Sequence, residues 1–297
     1  MKIEKMYDIC CIGHVTLDKI VTPHNVYHQN GGTAYYFAYG MNALPRRVTF
    51  QMVTSITQKD KEAVEKMRQA GIDVVCFDSK ETVFFENIYG GDCNHRTQRV
   101  LATSDPFTVE QMESLAPARM YHLGTLTSAD FSPETVASLA RKGKVSIDVQ
   151  GYLREVIDQK VFACDWKEKR EVLAMTDMLK LNEYEMEVMT GRKDPREVAR
   201  IIASWGVREV VLTFGSYGSQ IYADGRFYDI PAYKPQHYSD VTGCGDTFST
   251  GYLYCRAQGM GCEEAGKFAA AMCTLKIEHP GPFSQSIERI EELLSKE

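Results

Sequence analysis

The 297-residue sequence predicts an α/β fold: a doubly wound, mostly parallel sheet flanked by helices, with a small antiparallel β lid projecting from it. Three observations carry this expectation. Short apolar runs of strand length alternate with helix-like stretches, and each run is apolar throughout, as in strands covered on both faces. Two segments, 15–30 and 82–103, break that rhythm with β-branched, aromatic and polar residues. No Pro/Gly/Ser-rich linker divides the chain, so residues 1–297 read as one domain whose lid is built from those two segments.

In chain order, the first strand is Tyr7 to Ile12, and after the first irregular segment a helix covers Thr33 to Leu44. A strand over Val48 to Val53 and a helix over Lys59 to Ala70 follow. The second irregular segment pairs the run from Thr82 with the run from Thr97 across the turn Gly90-Gly91-Asp92, which is a hairpin pattern. Strands at Tyr121 to Leu126 and Lys144 to Asp148 flank a helix over Pro133 to Lys142. A strand over Asp177 to Leu181 precedes helices over Glu183 to Thr190 and Pro195 to Trp205. The strand Glu209 to Phe214 and helices over Thr247 to Gln258 and Cys262 to Ile277 complete the pattern.

Composition narrows the function. The 34 basic and 40 acidic residues leave a net charge of −6, which disfavours nucleic acid as a partner because such binding relies on a basic surface. Any anionic ligand must be held locally. No run approaches the roughly 18 apolar residues of a membrane span, and the charged stretch Met1 to Asp8 is unlike a secretion signal. Nine cysteines without a C-x-x-C spacing read as reduced thiols, so the expected location is the cytoplasm. His14, His95 and His122 have no metal-ligand spacing and read as core or surface residues.

The most informative stretch is Asp240-Val-Thr-Gly-Cys-Gly-Asp246, running directly into a helix. Gly243 and Gly245 allow a tight turn that presents successive N–H groups, and the helix adds its unpaired donors and positive dipole end, which together make an anion site. A carboxylate there would repel a phosphate. It is explained if Asp246 accepts a proton from a hydroxyl attacking the phosphoryl group held by those donors. The alternative is that Asp246 caps a helix and the glycines only turn the chain.

Asp240 to Asp246 resembles the signature of the ribokinase or PfkB family of carbohydrate kinases, D-[ST]-x-G-A-G-D, with Val241 and Cys244 as departures. The resemblance implies a ribokinase-like fold and a catalytic set of Asp246 with Gly243, Cys244 and Gly245. Gly13-His-Val-Thr-Leu-Asp18 resembles the first-strand segment whose Asp binds sugar hydroxyls, and Gly31-Gly32 resembles the family's lid hinge beside the substrate. Tyr36 stands near where the family often has a polar Asn, and Asp148, with Gln150 and Arg154, stands where sugar kinases show D-x-N-x-R. Asp18, Gly31, Gly32, Tyr36 and Asp148 are thus the implied substrate-binding residues. Asn182-Glu-Tyr-Glu185 matches N-x-x-E, which implies Asn182 near phosphate and Glu185 acting on Mg²⁺ through water; the same residues also form a sound capping box. Thr213, Gly215 and Gly218 resemble the T-x-G-x-x-G nucleotide loop, which taken alone is an ordinary turn. Asp240 and Thr242 are implied as a monovalent-cation site, with K⁺ the candidate.

The function expected from these residues is transfer of the γ-phosphoryl group of ATP, with Mg²⁺, to a hydroxyl of a small sugar or polyol. Gln150, the shifted Arg154, and the lid string containing Arg99 are similar to the myo-inositol kinase branch. Two alternatives stand beside it: a nucleoside kinase of the same fold, with Phe84 and Phe85 stacking a base, and a non-catalytic sugar or nucleotide sensor. A sugar phosphate is a poorer acceptor, since only His95, Arg96 and Arg99 lie near the lid. Unpaired lid edges make a homodimer through the lid the expected assembly.

Overall fold

In a computed structural model, which describes residues 5–89 and 96–296, the chain leaves the main body three times and returns. It opens with β1 (Tyr7–Gly13), departs through β2 (Thr16–Val21) and β3 (Val26–Gly31), and returns by α1 (Thr33–Ala43) to β4 (Phe50–Ile56). After α2 (Glu62–Gln69) and β5 (Val74–Asp78) comes the second excursion, β6 (Val83–Tyr89) and β7 (Arg96–Ala102). Then α3 (Val109–Ser114), β8 (Ala118–Gly124), α4 (Pro133–Ala140) and β9 (Lys144–Asp148) lead to the third, β10 (Arg154–Ile157) and β11 (Lys160–Ala163). The C-terminal half runs α5 (Lys169–Leu173), β12 (Met178–Asn182), α6 (Glu183–Thr190), α7 (Pro195–Ser204), β13 (Glu209–Thr213), β14 (Ser219–Ala223) and β15 (Arg226–Ile230). It ends with α8 (Cys244–Ala257), α9 (Cys262–Ile277) and α10 (Ile287–Leu294).

The body is a nine-stranded sheet in the order β15-β14-β13-β12-β9-β8-β1-β4-β5, parallel from β13 to β5 and antiparallel beyond β13. Its strands are apolar on both faces because both are covered. On β1, Ile9 and Cys11 belong to the core that α1 and α8 form on one face, with Phe37 and Tyr252, while Cys10 and Ile12 belong to the core of the other face, which includes Leu139 of α4 and Ile202 of α7.

The three excursions form a second sheet, ordered β10-β11-β7-β6-β2-β3. It differs from the expected lid in two respects. The segment 154–163 adds β10 and β11, joined by Asp158 and Gln159, both at positive φ as a tight hairpin turn requires. The sheet is also not wholly antiparallel, since β2 and β6 run parallel. Val83, Phe85 and Val100 on one face of this sheet pack on Leu126 of the body, with Val156 and Val161 beside them. The expected turn at Gly90-Gly91-Asp92 and His95 lie outside the described residues.

Candidate active site

The floor of the site is a single row across the C-terminal ends of the parallel strands. Gly13, Gly124, Asp148, Lys180 and Val211 are successive register partners on β1, β8, β9, β12 and β13. The two glycines make room for α1: a Cβ at Gly124 would lie 2.8 Å from Thr33 Cβ, and one at Gly13 would lie 3.2 Å from Ala34 Cβ. The next two residues form a buried ion pair, with Lys180 Nζ 2.7 Å from Asp148 Oδ2. Ligands of open parallel sheets collect at this end of the strands.

Above the pair sits the turn into α8. Gly243 has φ +77° and forms the N-cap, and its Cα faces the ring of Tyr36. Gly245 lies in the first helical turn without a positive φ, so its backbone does not demand glycine. A side chain there would instead meet Lys180, whose Nζ lies 3.0 Å from the position of a Cβ. Glycine at 245 therefore opens a window through which the ammonium approaches the turn.

Asp246, in the same first turn, has its pKa raised to about 7, first by burial and then by Asp148, against the pull of Lys180, a hydrogen bond with the Thr33 side chain and the charge of Arg154. A carboxylate near a helix N-terminus is ordinarily favoured in its charged form. Burial among other carboxylates outweighs that here. Burial and Asp148 also push Glu185 up, again against Lys180. For Lys180, burial works against the charge, but Asp148, Glu185 and Asp246 overcome it and raise its pKa. Cys244 is pushed up to about 12 by burial and is a neutral thiol.

The lid supplies the opposite wall. Asp18 is buried and accepts a hydrogen bond from Thr16 Oγ1 at 2.8 Å, and a Cβ at Gly31 would come 2.5 Å from Asp18 Oδ2. Gly32, at φ +97°, caps α1 and lets the chain pass His14, whose carbonyl oxygen would be 2.2 Å from a Cβ. Ile20 lies two residues beyond Asp18 and hence on the same face; its register partner is Asn87, whose own partner is Gln98. Gln98 Nε2 donates to Asn87 Oδ1 at 2.9 Å. The face carrying Asp18 thus also carries an amide pair.

On the far side of the α8 turn lies a cavity of about 560 Å³, with Thr213, Gly215, Gly218, Cys244 and Gly245 among its lining and an apolar wall that includes Tyr233, Phe248, Ala270 and Ile277. Asn182 Oδ1 accepts from the backbone N–H groups of Tyr184 and Glu185, and Glu185 Oε2 accepts from Asn182 N, so the capping box is present.

A family model described as pfkB family carbohydrate kinase matches residues 6–289. The chain belongs to the PfkB family of carbohydrate kinases. Its similarity to a cytidine kinase of Thermococcus kodakarensis is 28% identity over 277 residues, covering 87% of this chain and 92% of that one. A pyrophosphate-dependent kinase in the ribokinase family, solved with a pyrophosphate analog and myo-inositol, superposes with TM-score 0.84 at 30% identity, covering 97% and 99% of the two chains. The sulfate complex of a pyrophosphate-dependent kinase in the ribokinase family gives 0.84 at 31%, covering 95% and 99%. The fold is ribokinase-like, and the chain is a phosphotransferase with a hydroxyl acceptor of the carbohydrate or nucleoside class.

Three of the residues singled out in the sequence of this PfkB family kinase have partners within the protein. Asp148, expected at the substrate, has Oδ2 on Lys180 and Oδ1 accepting from Gln150 N at 3.2 Å. Tyr36 is 3% exposed and supports the Gly243 turn with its ring. At the implied monovalent-cation site, Lys276 Nζ donates to the Asp240 carbonyl at 2.7 Å and lies 3.2 Å from Asp240 Oδ2. Asp240 Oδ1 accepts from Thr242 N at 2.9 Å. The oxygens a K⁺ ion would take already hold an ammonium, and the residues do not fit the metal.

Lys180, Lys276 and the Asn87–Gln98 pair were not singled out in the sequence. Lysine in a strand or helix end is normally a solvated side chain, so only the register of β12 with β9 and the docking of α9 reveal these roles. Among the described residues no group of three or more His, Cys, Asp and Glu could hold a metal ion. A divalent ion here would be held largely by phosphate and water, as Mg²⁺ commonly is, with Glu185 and Asp246 facing it. No helix among those residues is long and apolar enough to cross a membrane.

Proposed function

We propose that this kinase transfers the γ-phosphoryl group of ATP to a hydroxyl of a small sugar or polyol, with Asp246 as general base and the Gly243–Asp246 backbone as the anion hole. The observation that carries the reading is Asp246 itself: a carboxyl with its pKa raised to about 7, in the first turn of the helix whose N-terminal donors make the anion site. A carboxyl serving only as a helix cap gains nothing from such a shift, whereas a base operating near neutrality does.

The lid face supports a hydroxylated acceptor. Asp18 and the Asn87–Gln98 amides offer hydrogen-bond donors and acceptors suited to several hydroxyls, while of the two aromatic residues expected to stack a base Phe85, the register partner of Asp18, shares that face and Phe84 lies on the opposite one. Phe85 is 6% exposed in the cluster on Leu126, and Phe84 faces His28, their ring centroids 6.3 Å apart. Gly31 and Gly32 would hold the acceptor's edge. The apolar wall of the donor cavity supports a nucleotide, since pyrophosphate has no apolar part to cover it; Thr213, Gly215 and Gly218 would line the nucleotide, with Asn182 near its phosphates. Mg²⁺, faced by Glu185 and Asp246, would supply charge neutralisation on the phosphates. The unpaired edges β3 and β10 expose Val26, Tyr27 and Ile157, which supports a homodimer through the lid. Free thiols at all eight described cysteines suit the cytoplasm.

A screen of pentoses, hexoses, inositols and nucleosides, each with ATP and with pyrophosphate, tests the reading. Phosphorylation of a polyol or sugar with ATP is expected. A nucleoside preferred over every polyol would favour the activity named for the Thermococcus relative, and turnover with pyrophosphate alone would overturn the donor assignment.

A further inference from the structure

The loop that delivers the phosphate-binding turn is fastened at one residue, Asp240, and the fastener is a lysine. Lys276 stands in the last turn of α9, where the helix dipole favours a cation. Its side chain is 0% exposed. Its ammonium reaches both the carbonyl oxygen of Asp240, at 2.7 Å, and the carboxylate, at 3.2 Å. The remaining capacity of that carboxylate is spent on backbone: Oδ1 accepts from Thr242 N at 2.9 Å and Oδ2 from Gly281 N at 3.3 Å. The α9 end grips the same loop from the other side, since Ile277 O accepts from Ser239 N at 2.9 Å and Asp240 N at 3.2 Å. Three residues later Gly243 begins the turn.

Carbonyl and carboxylate oxygens are the donors that hard cations take. An ammonium group is similar in size to K⁺, carries the same charge and, unlike the ion, cannot dissociate. A buried lysine is costly unless its charge is matched, and Asp240 matches it here. We infer that Lys276 is a tethered cation that does the work of a monovalent metal ion, a positioning residue that holds the phosphate-binding turn in place and makes the protein indifferent to K⁺.

The test compares the wild type with Lys276→Ala and Lys276→Met in KCl, NaCl and tetramethylammonium chloride at matched ionic strength, reading melting temperature and initial rate. For the wild type, melting temperature and kcat/KM for the donor should agree within about twofold across the three salts. Lys276→Ala should lose at least about tenfold in donor kcat/KM in tetramethylammonium, with acceptor KM little changed. It should regain activity and melting temperature in KCl, or on adding ammonium ions, which restore the missing group. Lys276→Met fills the space and should respond less.

A wild type stabilised or activated severalfold by K⁺ would overturn the inference. So would a folded Lys276→Ala variant with unaltered donor kinetics in all three salts. If both variants fail to fold, the wild-type salt series alone decides. The inference uses the kinase reading only for its rate measurements: a wild type that phosphorylates no acceptor would end that reading, while the melting temperatures would still report on the cation.

Discussion

The ring of Tyr36 packs against Gly243 so closely that a β-carbon at position 243 would lie 2.3 Å from Tyr36 Cδ1. Gly243 also has φ +77°, a conformation that L side chains rarely adopt. Gly243→Ala therefore meets two penalties, steric and conformational, and should cut kcat/KM by about 10²-fold or more through loss of aligned donors. Tyr36→Leu in the same chain removes the steric part and should recover some of the loss. Steady-state kinetics of the single and double variants check this; full activity in Gly243→Ala would contradict it.

Asp246→Asn removes the proposed base and should lower turnover by about 10²- to 10⁴-fold with donor binding retained. In the wild type, kcat/KM should rise with pH through about 7 as Asp246 loses its proton.

The same shift has a stability consequence of definite sign. The folded state holds the Asp246 proton more tightly than the unfolded state, whose value is near 3.8. The favourable contribution is complete below that pH and is lost as pH rises through about 7. Asp246→Asn should accordingly melt higher than wild type at pH 8, with the difference fading towards pH 4. Thermal unfolding across that range measures it, and an equal difference at both ends would argue against the raised value.

Lys180→Met leaves the Asp148 carboxylate buried without its partner, which typically costs about 3–5 kcal/mol. Adding Asp148→Asn removes the stranded charge and should return most of the stability, which urea unfolding of the single and double variants measures. Donor KM should stay elevated in the double variant if the ammonium also faces the phosphates through the Gly245 window. A double variant with wild-type donor KM would confine Lys180 to a structural role.

Asn87→Leu and Gln98→Leu each take polar groups from the acceptor wall. Each is expected to lower kcat/KM for a polyol by about tenfold, in line with the roughly 1–3 kcal/mol of an unmade buried hydrogen bond. ATP hydrolysis without acceptor should be unchanged. Product analysis by NMR would show in addition whether the phosphorylated hydroxyl moves.

The body of the fold was legible because a two-sided parallel strand announces itself as an unbroken apolar run, as in Tyr7 to Ile12. The anion turn was legible because Gly243 and Gly245 flank Cys244 immediately before a helix. By contrast β10 and β11 are four residues each, partly exposed, and joined by Asp158-Gln159 rather than by a glycine-containing turn. Nothing local marks them; β11 is held by pairing with β7. Lys180 and Lys276 were hidden for a related reason, because a buried ion pair is a property of two distant positions and each lysine reads as ordinary until its partner is placed.

The lid sheet is assembled from three segments threaded between strands of the body, with β2 pairing in parallel to β6 and β7 reaching β11. Such long-range pairing is slow to form, since each loop must close before its contacts can stabilise it. During synthesis the proposed acceptor wall has all its strands once residue 163 has emerged, whereas the proposed phosphate-binding turn waits for α8 and α9. A chain interrupted between those points would carry a substrate wall facing an unfinished catalytic end, and the last two large helices convert it into an enzyme.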